Sequence, residues 1–345
     1  MENFSLDRYE LMETALKELG FTVDFIEKRA QKTVITVSQY EKGGKNMPEL
    51  QKAVNNKIGL FTRIQQIFFK SVLFFYIRMS AKIRLKPRKR LRFETDIVGH
   101  CNLNCKCCNH FSPLVKEYFV KPEIFEKDFS RLSELAGRNN ENIDLMGGEP
   151  LLHPEISKIL EIARKYFDGP INIVTNGILL KKMDAGFWEA CKRNNINIKV
   201  TSYPIKLDHR EIKRLARKHS VKVYIRMQFM NKHVWCRLPK DIEGRQNIID
   251  NINLCLVANF CIFLREGKLS ACCLPLLIDC FNVYFNKNIE VSENDFIDIH
   301  KTKNIEEIYN FLSKPMPFCR YCKIREWEVG IKWGVSQKEI SEWFD

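Results

Sequence analysis

Phe93-Glu-Thr-Asp-Ile-Val98, followed at once by Gly99 and His100-Cys-Asn-Leu-Asn-Cys-Lys-Cys-Cys-Asn-His110, delivers a thiol-rich loop from the end of a strand-like run. Outward from this loop, strand and helix signals alternate. Pro122 opens a helix with Phe125, Phe129 and Leu132 on one face, closed by Gly137. Strand Ile143 to Met146 ends in Gly147-Gly148-Glu149-Pro150, and Pro154 starts a second helix carrying Ile156, Ile159, Leu160 and Ala163 as its buried stripe. A third strand, Ile171 to Thr175, ends in Asn176-Gly177. Asp184 caps a helix with Phe187, Trp188 and Cys191. Ile196, Ile198 and Val200 alternate as a fourth strand, Asp208 caps another helix, and Val221, Val223 and Ile225 give a fifth strand. Repeated βα units require parallel strands with right-handed crossovers, so the expected class is α/β, an open or closed barrel.

In such folds the working residues stand at the carboxyl ends of the strands. The cysteine loop, Gly147 to Glu149, Asn176, Ser202 and the region of Arg226 all fall there, and this convergence predicts one site. Gly147 and Gly148 let backbone approach a ligand closely, with Glu149 as an anionic acceptor beside it. His110, His153, Tyr203 and Arg226 are candidates for substrate contact, against the ordinary structural role of a lone histidine.

Three of the thiols, Cys101, Cys105 and Cys108, are spaced CxxxCxxC. Three ligands leave one corner of an iron-sulfur cube open for an outside molecule. Zinc and simply buried thiols are the competing readings. Zinc sites usually pair two short knuckles and close at four ligands, and His110 would strain a tetrahedron from two residues away. Cys107 adjoins Cys108 and is expected to pack inward.

A chain of 345 residues with 45% hydrophobic and 28% charged residues can bury a large core and more than one domain. Its N-terminus carries Asp7, Arg8, Glu10, Glu13 and Lys17 without an apolar core, which predicts no secretory signal and a cytoplasmic protein. Thirteen cysteines are then a metal or redox resource and not a disulfide framework. The net charge of +14 is concentrated in Lys82 to Arg92 and in Lys213, Arg214, Arg217 and Lys218. Neither cluster is interleaved with stacking aromatics, so specific nucleic-acid binding is not expected. An anionic small molecule accounts for the excess equally well. Residues 1–90 read as an appendage: a helix over residues 7–19, strands Phe21 to Ile26 and Thr33 to Ser38, and an amphipathic helix bearing Phe61, Ile64, Phe68, Val72, Phe75 and Met79. That helix is too polar to span a bilayer and reads first as core packing. With the basic stretch after it, peripheral contact with an anionic membrane is the second reading.

The cysteine loop after strand one and Met146-Gly-Gly-Glu-Pro150 after strand two together resemble radical S-adenosylmethionine enzymes, over residues 91 to about 228. The resemblance implies a partial (β/α) barrel of five or six parallel strands. In that family three cysteines hold a [4Fe-4S] cluster whose open iron is chelated by S-adenosylmethionine, which implies Cys101, Cys105 and Cys108 as ligands. It likewise implies Gly147, Gly148 and Glu149 as contacts of the methionyl amino group, and Asn176 and Ser202 at strand ends that touch the sugar or carboxylate. The family often has an aromatic residue before the third cysteine to cover the adenine. Here that position is Cys107, and Phe111 is the available substitute.

Downstream, Cys255, Gly267 and Cys272 fit Cys-x11-Gly-x4-Cys, with Cys319-x2-Cys322 after a gap. Phe260 to Leu264 and Leu269 to Cys273 flank Arg265-Glu-Gly-Lys268 as a hairpin. This set resembles the twitch module, a smaller relative of the SPASM module, found behind some radical S-adenosylmethionine barrels. It implies Cys255, Cys272, Cys319 and Cys322 as ligands of one auxiliary [4Fe-4S] cluster. Cys261 and Cys273 are alternative ligands, Cys280 a bystander, and a zinc ribbon the competing reading. The expected domains are 1–90, an appendage; 91–235, the partial barrel; and 236–345, the auxiliary module.

The expected function is that of an oxidoreductase that cleaves S-adenosylmethionine to a 5′-deoxyadenosyl radical, which takes hydrogen from a sugar, cyclitol or nucleotide-linked metabolite while the auxiliary cluster accepts the electron. A flavodoxin or ferredoxin is the expected reductant. A peptide-modifying maturase and a nonenzymatic zinc-binding protein are the alternatives. After anaerobic reconstitution the chain should hold about eight irons, two clusters of four. Stoichiometric zinc with no cleavage of S-adenosylmethionine would instead establish the zinc reading.

Overall fold

Alternation of apolar and polar residues along each strand decides how the sheet is built. The computed structural model describes residues 91–227, 234–255, 257–260 and 262–345. The expected appendage, its amphipathic helix and most of the first basic stretch lie outside these residues. Five parallel strands run β1 Arg92–Val98, β2 Asn142–Gly147, β3 Ile171–Thr175, β4 Ile196–Ser202 and β5 Val223–Met227. The crossovers carry helices α1 Pro122–Ala136, α2 Ile156–Tyr166, α3 Ala185–Arg193 and α4 His209–Lys218.

Local chemistry explains the element ends. Pro122 sits in the first turn of α1, where a missing N–H costs nothing, and Gly137 takes φ 75° to end it. Asp184 and Asp208 cap α3 and α4 by accepting from the backbone N–H of Phe187 and Glu211 at 2.8 and 3.0 Å. Pro150 spends its fixed φ on a short 3₁₀ turn, Pro150–Leu152, so α2 begins at Ile156, two residues after the expected Pro154.

The eight-stranded sheet has the order β5-β4-β3-β2-β1-β7-β8-β9. The added strands are β7 Ile262–Arg265, β8 Lys268–Ser270 and β9 Ile297–Asp298. The expected hairpin is present, its turn made by Glu266 and Gly267, both with positive φ. Its first strand pairs parallel with β1, Phe93 opposite Ile262, and is the sixth parallel strand. The cysteine-rich second half therefore continues the sheet that carries the first thiol loop. A separate two-stranded ribbon pairs β6 Val234–Arg237 antiparallel with β10 Glu328–Lys332.

Ile143, Leu145, Ile171, Ile173, Ile196, Ile198 and Val200 are buried on the face that packs against the crossover helices. The opposite face is polar. Register places Glu94, Asp144, Asn172 and Asn197 in one row across four strands. Asp144 is its hub and accepts from Arg92 Nη2 at 2.7 Å, Asn172 Nδ2 at 2.7 Å and Lys199 Nζ at 3.0 Å. Burial raises the Asp144 pKa, but the Lys199 and Arg92 cations outweigh it and hold the carboxyl below its ordinary range. Among the described residues no helix is long and apolar enough to cross a membrane.

At the end of β2 the backbones touch. A Cβ on Gly147 would lie 2.1 Å from the Val98 oxygen, and one on Gly148 1.9 Å from the His100 oxygen. Gly137, by contrast, has nothing within 4 Å of its would-be Cβ. Gly148→Ala should therefore cost about 3 kcal/mol or more in urea unfolding or leave the chain insoluble, while Gly137→Ala, which meets only left-handed backbone strain, should cost about 1–2 kcal/mol. Equal losses at the two positions would contradict the close apposition.

Candidate active site at the carboxyl edge of the sheet

The thiol loop is fastened to the neighbouring strand ends by backbone and side-chain hydrogen bonds. Gly148 N–H donates to the Val98 oxygen at 2.8 Å and Glu149 N–H to the His100 oxygen at 3.0 Å. The fully buried Glu149 carboxylate accepts from Thr175 Oγ1 at 2.5 Å, Asn176 N–H at 2.9 Å and Leu151 N–H at 3.2 Å. Burial pushes its pKa up to about 7 despite these donors. Asn176 Nδ2 donates to Asn102 Oδ1 at 2.7 Å and lies 3.9 Å from Cys101 Sγ, tying β3 to the loop. The ends of β1, β2 and β3 thus form one hydrogen-bonded rim.

Cys101, Cys105 and Cys108 are gathered on this rim, close enough that charge on Cys108 raises the pKa of both other thiols. Burial is the larger cause and pushes Cys101 to about 11 and Cys105 to about 12. Neutral thiols of this kind must shed protons to bind metal. Tyr203, directly after β4, packs against the cluster of Leu103, Cys105, Cys107 and Trp235 and is pushed well above its ordinary value by burial and then by Cys105, Cys108, Cys101 and Glu149. Cys107 takes φ 59° and turns away: after burial, its strongest neighbours are Glu342, Lys106, Arg237 and Lys240. Among the described residues no three His, Cys, Asp or Glu side chains converge on a point that would hold a single ion.

The other expected residues fall variously. Ser202 ends β4, its Oγ 3.5 Å from His209 Nε2. Arg226 lies in β5 opposite Thr201. His153 is structural, since Nε2 meets the Val120 oxygen at 2.9 Å and Nδ1 meets Glu155 N–H at 3.1 Å. His110 pairs with Asp96 at 2.9 Å; burial opposes its charge, but the carboxylate prevails and lifts it to about 9. Phe111 does not substitute as an adenine cover, because it is wholly buried against Phe281 and Trp343.

Cys255, Cys272, Cys273, Cys319 and Cys322 line a second cavity with Asn109, Asn251 and Met316. Charges on Cys273, Cys319, Cys255 and Cys322 all reinforce the burial that raises Cys272. Val257 and Ala258 N–H both donate to Cys255 Sγ at 3.3 Å. Asn251 Nδ2 donates to the Cys319 oxygen at 2.7 Å and also to the Cys322 oxygen, clamping the CxxC turn. Cys261 lies outside the described residues. Cys280 neighbours Arg265 and is not part of the cavity wall. Between the two thiol sets sits Lys240, fully buried, its Nζ donating to Asn109 Oδ1 and the Leu238 oxygen at 3.1 Å each.

Sequence reading missed the C-terminal side of the site. Trp235, Trp333 and Trp343 donate indole N–H to the Lys106 oxygen, Cys105 Sγ and the Cys108 oxygen at 2.7, 3.2 and 2.8 Å. The available signal was the crowding of tryptophan after residue 234, where four of the five occur.

Residues 96–227 match the family model described as the Radical SAM superfamily. Over 95 residues, 28% of each protein, the chain is 36% identical to a probable GTP 3′,8-cyclase of Thermoplasma volcanium. Over 135 residues it is 31% identical to the GTP 3′,8-cyclase of Campylobacter jejuni subsp. doylei, covering 38% of this chain and 40% of that one. The matches thus span well under half the length of these relatives. A solved structure described as BtrN in complex with AdoMet and 2-DOIA is 16% identical, covers 69% of this chain and 94% of that one, and gives a TM-score of 0.43.

Glu149 supplies a pH test. Its unfolded carboxyl ionises near 4.5 and its folded one near 7, so between these values the native state holds the extra proton and stability falls as pH rises. Urea midpoints measured from pH 4.5 to 7 should therefore show a fall that Glu149→Gln flattens; an identical slope in the variant would contradict the buried, proton-holding carboxyl.

Proposed function

The chain carries a radical S-adenosylmethionine domain over residues 96–227, and from that premise we propose an enzyme that abstracts hydrogen from a polar metabolite, with a second cluster behind the first. The observation that carries this reading is the placement of two thiol sets, one on the carboxyl rim of a parallel sheet and one lining a cavity beyond Lys240. Cys101, Cys105 and Cys108 would hold a [4Fe-4S] cluster with one iron open to S-adenosylmethionine. Bound there, a reduced cluster would give one electron to break a carbon–sulfur bond of S-adenosylmethionine, releasing methionine and supplying the radical that takes hydrogen from the substrate. Cys255, Cys272, Cys319 and Cys322 would hold the auxiliary cluster, suited to storing the electron that an oxidation releases, so an oxidoreductase is the favoured class.

The chain's own residues orient and enclose these groups. Gly147 and Gly148 bring the end of β2 against the loop, and Glu149 and the backbone beside it are the proposed partners of the methionyl amine. Asn176 acts by holding Asn102 and the loop, and Ser202 stands at the next rim position. The names of the relatives favour a nucleotide among the sugar, cyclitol and nucleotide-linked candidates. A basic exterior suits an acidic reductant of the flavodoxin or ferredoxin kind in the cytoplasm.

Cys105→Ala should abolish 5′-deoxyadenosine formation, read by chromatography after reduction with dithionite. Cys319→Ala should retain the first cluster and lose about four irons. Full turnover with an intact auxiliary signal in Cys319→Ala would overturn the second ligand set.

A further inference from the structure

Of the three indoles aimed at the thiol loop, two end on backbone carbonyls and one ends on sulfur. Trp333 Nε1 lies 3.2 Å from Cys105 Sγ. Its position is fixed on both sides. Trp333 follows β10, which pairs with β6 up to Lys332, the residue just before it, with one irregularity between Val329 and Ile331. After it, the Gly334 oxygen accepts from Lys106 N–H at 2.9 Å and Ser336 N–H donates to the Asn104 oxygen at 2.8 Å, so the tail runs antiparallel to residues 104–106. The ring packs among Cys105, Leu103, Tyr203 and Trp235, with centroids 6.5 Å from Tyr203. The donor is therefore held against this sulfur by main-chain pairing as well as by packing.

The two kinds of indole contact differ chemically. A carbonyl that accepts a bond fixes the shape of the loop. A sulfur that accepts one gives up charge density, and N–H donors on ligand sulfur are among the features that set a cluster's reduction potential. An indole N–H donates only and keeps its proton at every physiological pH, so the effect is constant. We propose that Trp333 is a positioning residue that raises the reduction potential of the cluster held by Cys101, Cys105 and Cys108, through its hydrogen bond to Cys105. Trp235 and Trp343 shape the same loop through the Lys106 and Cys108 oxygens, their indole N–H groups donating to carbonyls and not to sulfur. The consequence is an asymmetric centre: the C-terminal tail, outside the strand-and-helix repeat, sets how readily the cluster accepts its electron.

The assignment rests on the cluster reading above, and the test separates the two. Iron content and the electron paramagnetic resonance signal that changes on adding S-adenosylmethionine report the cluster itself, and their absence from the wild-type chain would overturn both. With that signal present, a redox titration of Trp333→Phe should give a midpoint more negative than wild type at unchanged iron content, while Trp343→Phe leaves the midpoint in place. An unchanged midpoint in Trp333→Phe, or equal shifts in both variants, would overturn the assignment. If Trp333→Phe fails to retain the cluster, wild-type protein grown with indole-¹⁵N tryptophan decides the matter. Electron-nuclear double resonance of the reduced cluster should then show one ¹⁵N coupling that persists in Trp235→Phe and Trp343→Phe, and its absence would overturn the assignment.

Discussion

Contact between two backbones, at Val98–His100 and Gly147–Glu149, is the constraint on which the site depends. There is no room for a single carbon atom between Gly148 and the His100 oxygen. Two N–H groups cross the gap, and the side chain of the next residue, Glu149, reaches on to Thr175 and Asn176. One tripeptide thereby fixes the thiol loop to β2 and β2 to β3. Its glycines are required by the chain's own backbone, which is a stricter demand than closeness to a ligand. Burying the Glu149 carboxyl is costly, and three donors offset part of that cost.

The second half of the chain builds the other side of the same site. Strand β7 extends the sheet beside β1, the CxxC turn is clamped by Asn251, and Lys240 fills the space between the two thiol sets. The tail then returns along the loop and closes it with indole donors. Burial raises thiol pKa values in both sets, so metal loading at either one would release protons. Lys240 is the exception, a cation whose own pKa burial depresses and whose strongest favourable neighbours are Cys322, Cys273 and Cys107. A positive charge there complements thiolates at Cys322, Cys273 and Cys107.

The polar face of the sheet shows how an ordinary strand pattern can carry more than fold. Arg92, Glu94, Asp144, Asn172 and Lys199 alternate with apolar residues and were legible only as the second phase of each strand. Parallel register aligns them in rows and brings Asp144 within bonding distance of three donors from three strands. Half of this pattern faces the helices, and the other half is a row of polar side chains that bond to one another across the strands.

The strands, the crossover helices, the capping aspartates and the rim thiols were readable in sequence because each rests on local chemistry: periodicity, proline and glycine geometry, and ligand spacing over a few residues. The hairpin was readable for the same reason, but its parallel partner β1, some 170 residues away, was not. Nor were the backbone contact made by Gly147 and Gly148, the burial of Phe111, or the indole of Trp333 on Cys105. Each depends on what the folded chain brings alongside, and a residue's sequence neighbours say nothing of that. The sequence by itself determined which chemistry this chain can perform, since thiol spacing and strand order are encoded residue by residue. Tertiary structure alone decided how those thiols are held, because packing and hydrogen bonding act between atoms close in space, however far apart they lie along the chain.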